Sequence, residues 1–186
     1  GSLQVPIQWH SIHISPQHPA LYQLFEDEVA LVTGMAADPP APGAGTNPAA
    51  YLDAEQPHSG SHSLRVSVED PLTLRLPDAA PIRERPQPGQ YRFIFFAFRK
   101  DGGKLAVEMR STDPASLHRY EAGPDAPLQP ELKRVWKQEL PAKWVSIPRD
   151  LFGDFGEFDL QELTLSAEDG QPALFDHIYL ARTQND

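Results

Sequence analysis

The chain contains no cysteine. That excludes disulfides, thiolate zinc sites, a cysteine nucleophile and the Cys-x-x-Cys-His attachment of c-type haem. Basic residues are also short: 16 Lys and Arg stand against 26 Asp and Glu, a formal charge of −10. No window gathers Lys and Arg among aromatics, so no nucleic-acid partner is expected, because neutralising phosphates takes a basic surface. No apolar run approaches the ~18 residues of a membrane-spanning helix, and no membrane insertion is expected. Long amphipathic helical patterns and internal repeats are missing too, which argues against a solenoid or propeller.

Proline, by contrast, is abundant: 20 of 186 residues, about twice average usage. The prolines cluster in connecting stretches such as "DPPAPGAGTNP" and "RERPQPG", which cannot be helical and make the loops long and stiff. Between them lie short alternating segments. In "SLRVSVE" Leu64, Val66 and Val68 share one face, and in "PLTLRLP" Leu72, Leu74 and Leu76 do the same, as a half-buried strand requires. "GQYRFIFFAFRKDGGKLAVEMRS" reads as a hairpin turning at Asp101-Gly102-Gly103, with Arg92, Arg99, Glu108 and Arg110 facing outward. Further strands are expected at "RVWKQEL", "KWVSIPR", "DLQELTLSAED", "ALFDHIYLAR" and the later part of the run from Ala20 to Thr33. One helical turn is expected at "RDLFGDFG". Many short strands punctuated by Gly and Pro predict an all-β sandwich over residues 20–186. Residues 1–19 read as an extended N-terminal arm whose Gly1-Ser2 looks like an expression scar.

Chemistry-bearing groups are scattered. "HSGSH" lacks the strand-to-helix elbow of a hydrolase serine. The pairs His10 with His13 and His58 with His62 read as surface polar residues rather than a zinc site. Carboxylates are plentiful, but nothing selects two that face each other across a cleft as glycosidase chemistry demands, so no enzyme is expected. Calcium takes six to eight oxygens from carboxylates, hydroxyls and carbonyls, and Glu26, the turn "PHSGSH" and Asp176 supply such oxygens from three separate stretches.

In the order "LFEDE", "HSGSHSLRV", "WVSIPRDL", "LFDHIYL", the chain resembles the β-jelly-roll carbohydrate-binding modules of the galactose-binding-like superfamily. In them an early Phe-Glu, a Ser-Gly-x-x-Ser-Leu strand entry and a terminal Phe-Asp-x-Ile surround a structural calcium. "GQYRFIFFAFRKDGGK", "RYEAG", "RDLFGDFGEFDL" and "LFDHIYLART" also resemble a domain of large secreted or periplasmic planctomycete-type proteins that carry cytochrome c modules. The resemblance implies a non-catalytic jelly-roll module, cut from a larger exported protein, periplasmic or extracellular, that recognises a polysaccharide or glycan. It implies metal ligands at Glu26, Ser59 and Asp176, with Asp27 and Glu28 as alternatives to Glu26; His177 stands where a second acidic residue is usual. The sugar site is expected among Arg92, Arg99, Glu108, Arg110, Tyr120 and Trp136, since sugars are held by aromatic platforms and polar groups. A module that instead docks on other domains of its parent would show an apolar patch around Trp9 and Ile12.

One feature stands out in the final strand. Strict alternation puts Asp176 on a face with Ile178 and Leu180, where an unpaired carboxylate is costly. A shared cation or a backbone-capping hydrogen bond would resolve it.

Overall fold

The computed structural model describes residues 20–26, 51–113, 116–124 and 132–185, with Leu132 described by its backbone only. The described strands are β1 (Leu21–Phe25), β2 (Leu52–Asp53), β3 (Ser63–Val66), β4 (Leu72–Ile82), β5 (Phe93–Arg99), β6 (Leu105–Ser111), β7 (Leu117–Ala122), β8 (Leu132–Trp136), β9 (Val145–Asp150), β10 (Phe158–Ala167) and β11 (Ala173–Ala181). One short helix, α1 (Leu151–Phe155), lies between β9 and β10. Two sheets form a jelly-roll β-sandwich. Sheet A runs β2-β3-β11-β5-β9 with β1 also paired to β11; sheet B runs β4-β10-β6-β7-β8.

The core follows from alternation. Leu105, Val107 and Met109 of β6 meet Leu163 and Leu165 of β10, and face Ile94, Phe96 and Phe98 of β5 and Phe175, Ile178 and Leu180 of β11; all are essentially inaccessible. β4 sits at a sheet edge, the place where Pro77 and Pro81 cost no ladder hydrogen bond. α1 begins where the Asp150 side chain accepts from Gly153 N at 3.0 Å, an N-cap that satisfies an otherwise orphan donor. It ends at Gly156. No helix among the described residues is long and apolar enough to cross a membrane.

Two expectations change. The Asp101-Gly102-Gly103 turn does not close a hairpin: β5 belongs to sheet A and β6 to sheet B, so the turn carries the chain across the edge of the sandwich. Lys100 fixes it there. Its buried ammonium donates to the carbonyls of Asp169 and Gln171 and pairs with the Asp169 carboxylate at 3.0 Å. Val68 is 49% exposed, because β3 ends at Val66 and Ser67 N turns back to the Asp70 carbonyl. A strand covers the earlier part of the first run, Leu21–Phe25; the later part, where a strand is expected, lies outside the described residues with the rest of 27–50 and the arm.

Candidate functional site

β11 carries the largest departure from simple alternation. Phe175 pairs with Phe98 and Asp176 with Ala97, but Tyr179 pairs with Phe95, so β11 spends three residues where β5 spends two. This is a β-bulge. His177 sits at its centre with φ 54°, a left-handed conformation that costs an L-residue about 1–2 kcal/mol. The bulge restores order on both faces. Phe175, Ile178 and Leu180 all point into the core, while Asp176 and Tyr179 share the outer side with their partners Ala97 and Phe95. Asp176 therefore does not share a face with Ile178 and Leu180, as strict alternation predicted.

The bulge also marks a change of neighbour. On the edge opposite β5, β11 pairs with β3 over Ala173–Phe175 and with β1 over Ile178–Ala181. Asp176 lies in the interval, fully buried, and its carboxylate does what a strand would have done. Oδ2 accepts from His58 N at 2.8 Å and Ser59 N at 3.2 Å, and Oδ1 accepts from His177 N at 2.7 Å. Glu26, just past β1, completes the cluster. Its Oε1 accepts from Ser59 Oγ at 2.7 Å, and its Oε2 lies 2.6 Å from His177 Nδ1. Burial pushes the Asp176 carboxyl up from its ordinary value, the three amides pull it down and Glu26 pushes it up again, leaving it raised.

The expected metal residues Glu26, Ser59 and Asp176 are thus brought together. The donor set around them does not fit a calcium cage. Calcium needs oxygen lone pairs aimed at one point, whereas the groups that bond these two carboxylates are hydrogen-bond donors. Among the described residues, no group of three or more His, Cys, Asp or Glu is placed to hold a metal ion. Asp27 and Glu28 lie outside the described residues.

The cluster pins the loop 54–62 over sheet A. Asp53 holds its start, accepting from Glu55 N at 2.9 Å, Gln56 N at 3.1 Å and Arg65 Nη1 at 3.0 Å. The His58 ring then reaches across to β9, 3.4 Å from Ser146 Oγ and edge-on to Trp144 with centroids 5.3 Å apart. Beneath it, Ala97 pairs with Asp176 on one side and Ser146 on the other and is fully buried although it faces outward. Beside the loop, Tyr179, Phe95 and Pro148 form one row across β11, β5 and β9. Phe95 and Tyr179 stack with centroids 4.8 Å apart. His177 meets the Tyr179 ring edge-on at 4.9 Å. These residues line a hollow of about 140 Å³ with His58, Ser146 and Ile147. That is well below the ~300–1,000 Å³ of pockets that enclose drug-sized ligands. It suits one small ring.

The expected sugar-site residues do not assemble. Arg92 is held by Asp150 at 2.6 Å and by the Glu84 carbonyl at 3.0 Å, and Arg99 ends β5 on the outer side of sheet A. Glu108 and Arg110 lie on sheet B, where Glu108 pairs with Arg119 at 2.7 Å. Tyr120 is a correction: it is fully buried, and its hydroxyl donates to Asp154 Oδ2 at 2.8 Å. Burial, with the Asp154 charge adding, pushes its phenol far up. The sequence places it among outward groups, but in "LHRYEA" it alternates with Arg119 and Glu121 and so faces in. Trp136 packs edge-on against Phe98, centroids 6.4 Å apart. The outer side of sheet B is interlocked charge: Arg75 with Glu162, and Arg119 with Glu108, Glu121 and Glu168. Trp9 and Ile12 lie outside the described residues.

Phe95 and Tyr179 were overlooked because both sit in apolar runs. "FIFFAF" carries rings at both parities, Phe93 and Phe95 as well as Phe96 and Phe98. One parity must leave the core.

No family model matches the chain, and no curated protein matches it. Among solved structures it is similar to a mutant of a family 29 carbohydrate-binding module, with 10% identity, TM-score 0.43, and coverage of 87% of this chain and 91% of that one. It is similar to the family 11 carbohydrate-binding module from Clostridium thermocellum in complex with a β-1,3-1,4-mixed-linked tetrasaccharide, with 9% identity, TM-score 0.41, and coverage of 70% and 79%. A third is the glycoside hydrolase domain of Endo-D from Streptococcus pneumoniae R6, with 17% identity, TM-score 0.42, and coverage of 72% of this chain and 20% of that one. Likeness at this level assigns neither ligand nor activity.

Proposed function

We propose that the domain is a non-catalytic carbohydrate-recognition module that seats a sugar ring in the hollow on the outer side of sheet A. The observation that carries this reading is the stacked pair Phe95 and Tyr179, half-buried and bordered by the His58 and His177 rings and the Ser146 hydroxyl. Sugars present C–H faces that pack on aromatic rings and hydroxyls that pair with side-chain donors and acceptors. Among the described residues no carboxylate lines the hollow, and Glu26 and Asp176, which touch its lining residues His177 and His58, are engaged in hydrogen bonds, which supports recognition rather than hydrolysis. A hollow of this size binds weakly, and a polysaccharide offering many repeats, or neighbouring modules of a parent protein, would supply avidity. Such a module works in the periplasm or outside the cell, where polysaccharide is met.

The test is retention on immobilised polysaccharides and a glycan array, with Phe95→Ala and Tyr179→Ala beside the wild type. At least one glycan should be retained, and both variants should lose most of that binding while keeping a cooperative melt. No retention of any glycan, or equal retention by both variants, overturns the reading.

A further inference from the structure

We infer that the imidazole of His177 stands in for a structural divalent cation, so that the junction of β1, β3 and β11 is closed without metal. The inference does not rest on the carbohydrate reading.

Two carboxylates converge at this junction, Asp176 fully buried and Glu26 half-buried. Carboxylates brought together out of water repel and need a counter-charge or a full set of donors. A hard cation meets the need by drawing lone pairs inward. Here the same lone pairs are engaged otherwise. Asp176 receives the amides of His58, Ser59 and His177, one of them across the bulge itself. Glu26 receives the Ser59 hydroxyl on one oxygen and faces the His177 ring on the other. Ser59 serves both acids at once, through its amide to Asp176 and its hydroxyl to Glu26. An entering cation would have to displace these donors from the oxygens it needs.

The backbone shows that His177 is placed for this work. Its φ of 54° is uncommon for a residue other than glycine, although His, Asn and Asp tolerate it better than most. That conformation directs its amide to Asp176 and its ring nitrogen to Glu26 in the same turn. One residue thereby bridges two acids that arrive from opposite ends of the chain.

The experiment is thermal melting of the whole domain in chelator and in millimolar calcium chloride, with calorimetric titration of calcium chloride into the metal-stripped protein. The wild type should melt within about 1 °C in both conditions and take up no calcium. His177→Asp keeps a residue that accepts positive φ and replaces the imidazole with a third carboxylate; it should melt lower in chelator and recover with calcium. A second readout covers a His177→Asp protein that fails to fold. In ¹⁵N-histidine-labelled, metal-stripped wild type, the His177 ring signals should stay unmoved when millimolar calcium chloride is added. A wild type that loses several degrees in chelator or binds calcium stoichiometrically overturns the inference. So does a His177 ring signal that shifts when calcium chloride is added.

Discussion

Phe95 and Tyr179 face each other across the β5–β11 pairing with their ring planes 8° from parallel. Stacked in this way, the pair presents one continuous aromatic wall to the hollow. A double-mutant cycle of Phe95→Ala and Tyr179→Ala, read by urea unfolding, should return a coupling of about 0.5–1.5 kcal/mol. A coupling near zero would mean that the rings act independently.

Ala97 is fully buried on the outer side of sheet A because the loop 54–62 lies over it. Ala97→Leu should cost about 1–3 kcal/mol by overpacking, and it should lift His58 away from Ser146. Urea unfolding measures the cost, and the Trp144 emission, sensitive to the nearby His58 ring, reports the displacement.

Asp176→Asn keeps the shape of the side chain but turns one acceptor into a donor. Either the amides of His58 and Ser59 or that of His177 is then left facing an N–H. Leaving a buried donor unsatisfied costs about 1–3 kcal/mol, and Ser59→Ala should cost less because the amide of Ser59 survives. Denaturant midpoints for the two variants should fall in that order.

Acid should weaken the fold through Asp53 and Asp150. Burial pushes both carboxyls up, but Arg65 with the amides of Glu55 and Gln56 outweighs it at Asp53, and Arg92 with the Gly153 amide outweighs it at Asp150, so both are lowered. A carboxyl lowered in the folded state contributes stability above its unfolded value, and that stability is lost as pH falls through the folded value. Asp176, raised, works the other way, its contribution improving as pH falls. Melting between pH 6 and pH 2 should show Asp53→Asn and Asp150→Asn losing less on acidification than the wild type, because the lowered carboxyl is gone.

Gly103 has φ 66°, and a Cβ there would collide with the carboxylate of Asp169, which pairs with Lys100. Gly103→Ala should therefore lower the melting temperature by several degrees. Adding Asp169→Ala, which clears the clash, should lower it further, since the buried Lys100 ammonium then loses its carboxylate and the left-handed backbone strain stays.

Much of the architecture was legible in the chain. The alternation in "LRV", "LTLRL" and "LAVEM" marks inward faces that the sandwich uses, and Asp150 before "LFGDF" signals the helix it caps. What local pattern could not show was which strands pair. "KDGGK" has the residues of a hairpin turn, yet it crosses between sheets because Lys100 finds its partners in the β10–β11 connection, far away in sequence. The gathering of Glu26, Ser59 and Asp176 was expected from their resemblance to a known pattern, but the bonds that join them depend on one extra residue in β11. The hollow escaped notice for the same reason: Tyr179 faces outward only because the bulge moves it there.

β11 is bordered by β5 on one edge and by β1 and β3 on the other, so the last described strand is the centrepiece of sheet A. During synthesis from the N-terminus, β1, β3 and β5 leave the ribosome before the strand that joins them exists. Until residues 173–181 emerge they have unpaired edges and apolar faces, and the sandwich closes as a late, single event. A chain ended before Ala173 should therefore be handed to chaperones or aggregate instead of settling into a smaller version of the fold.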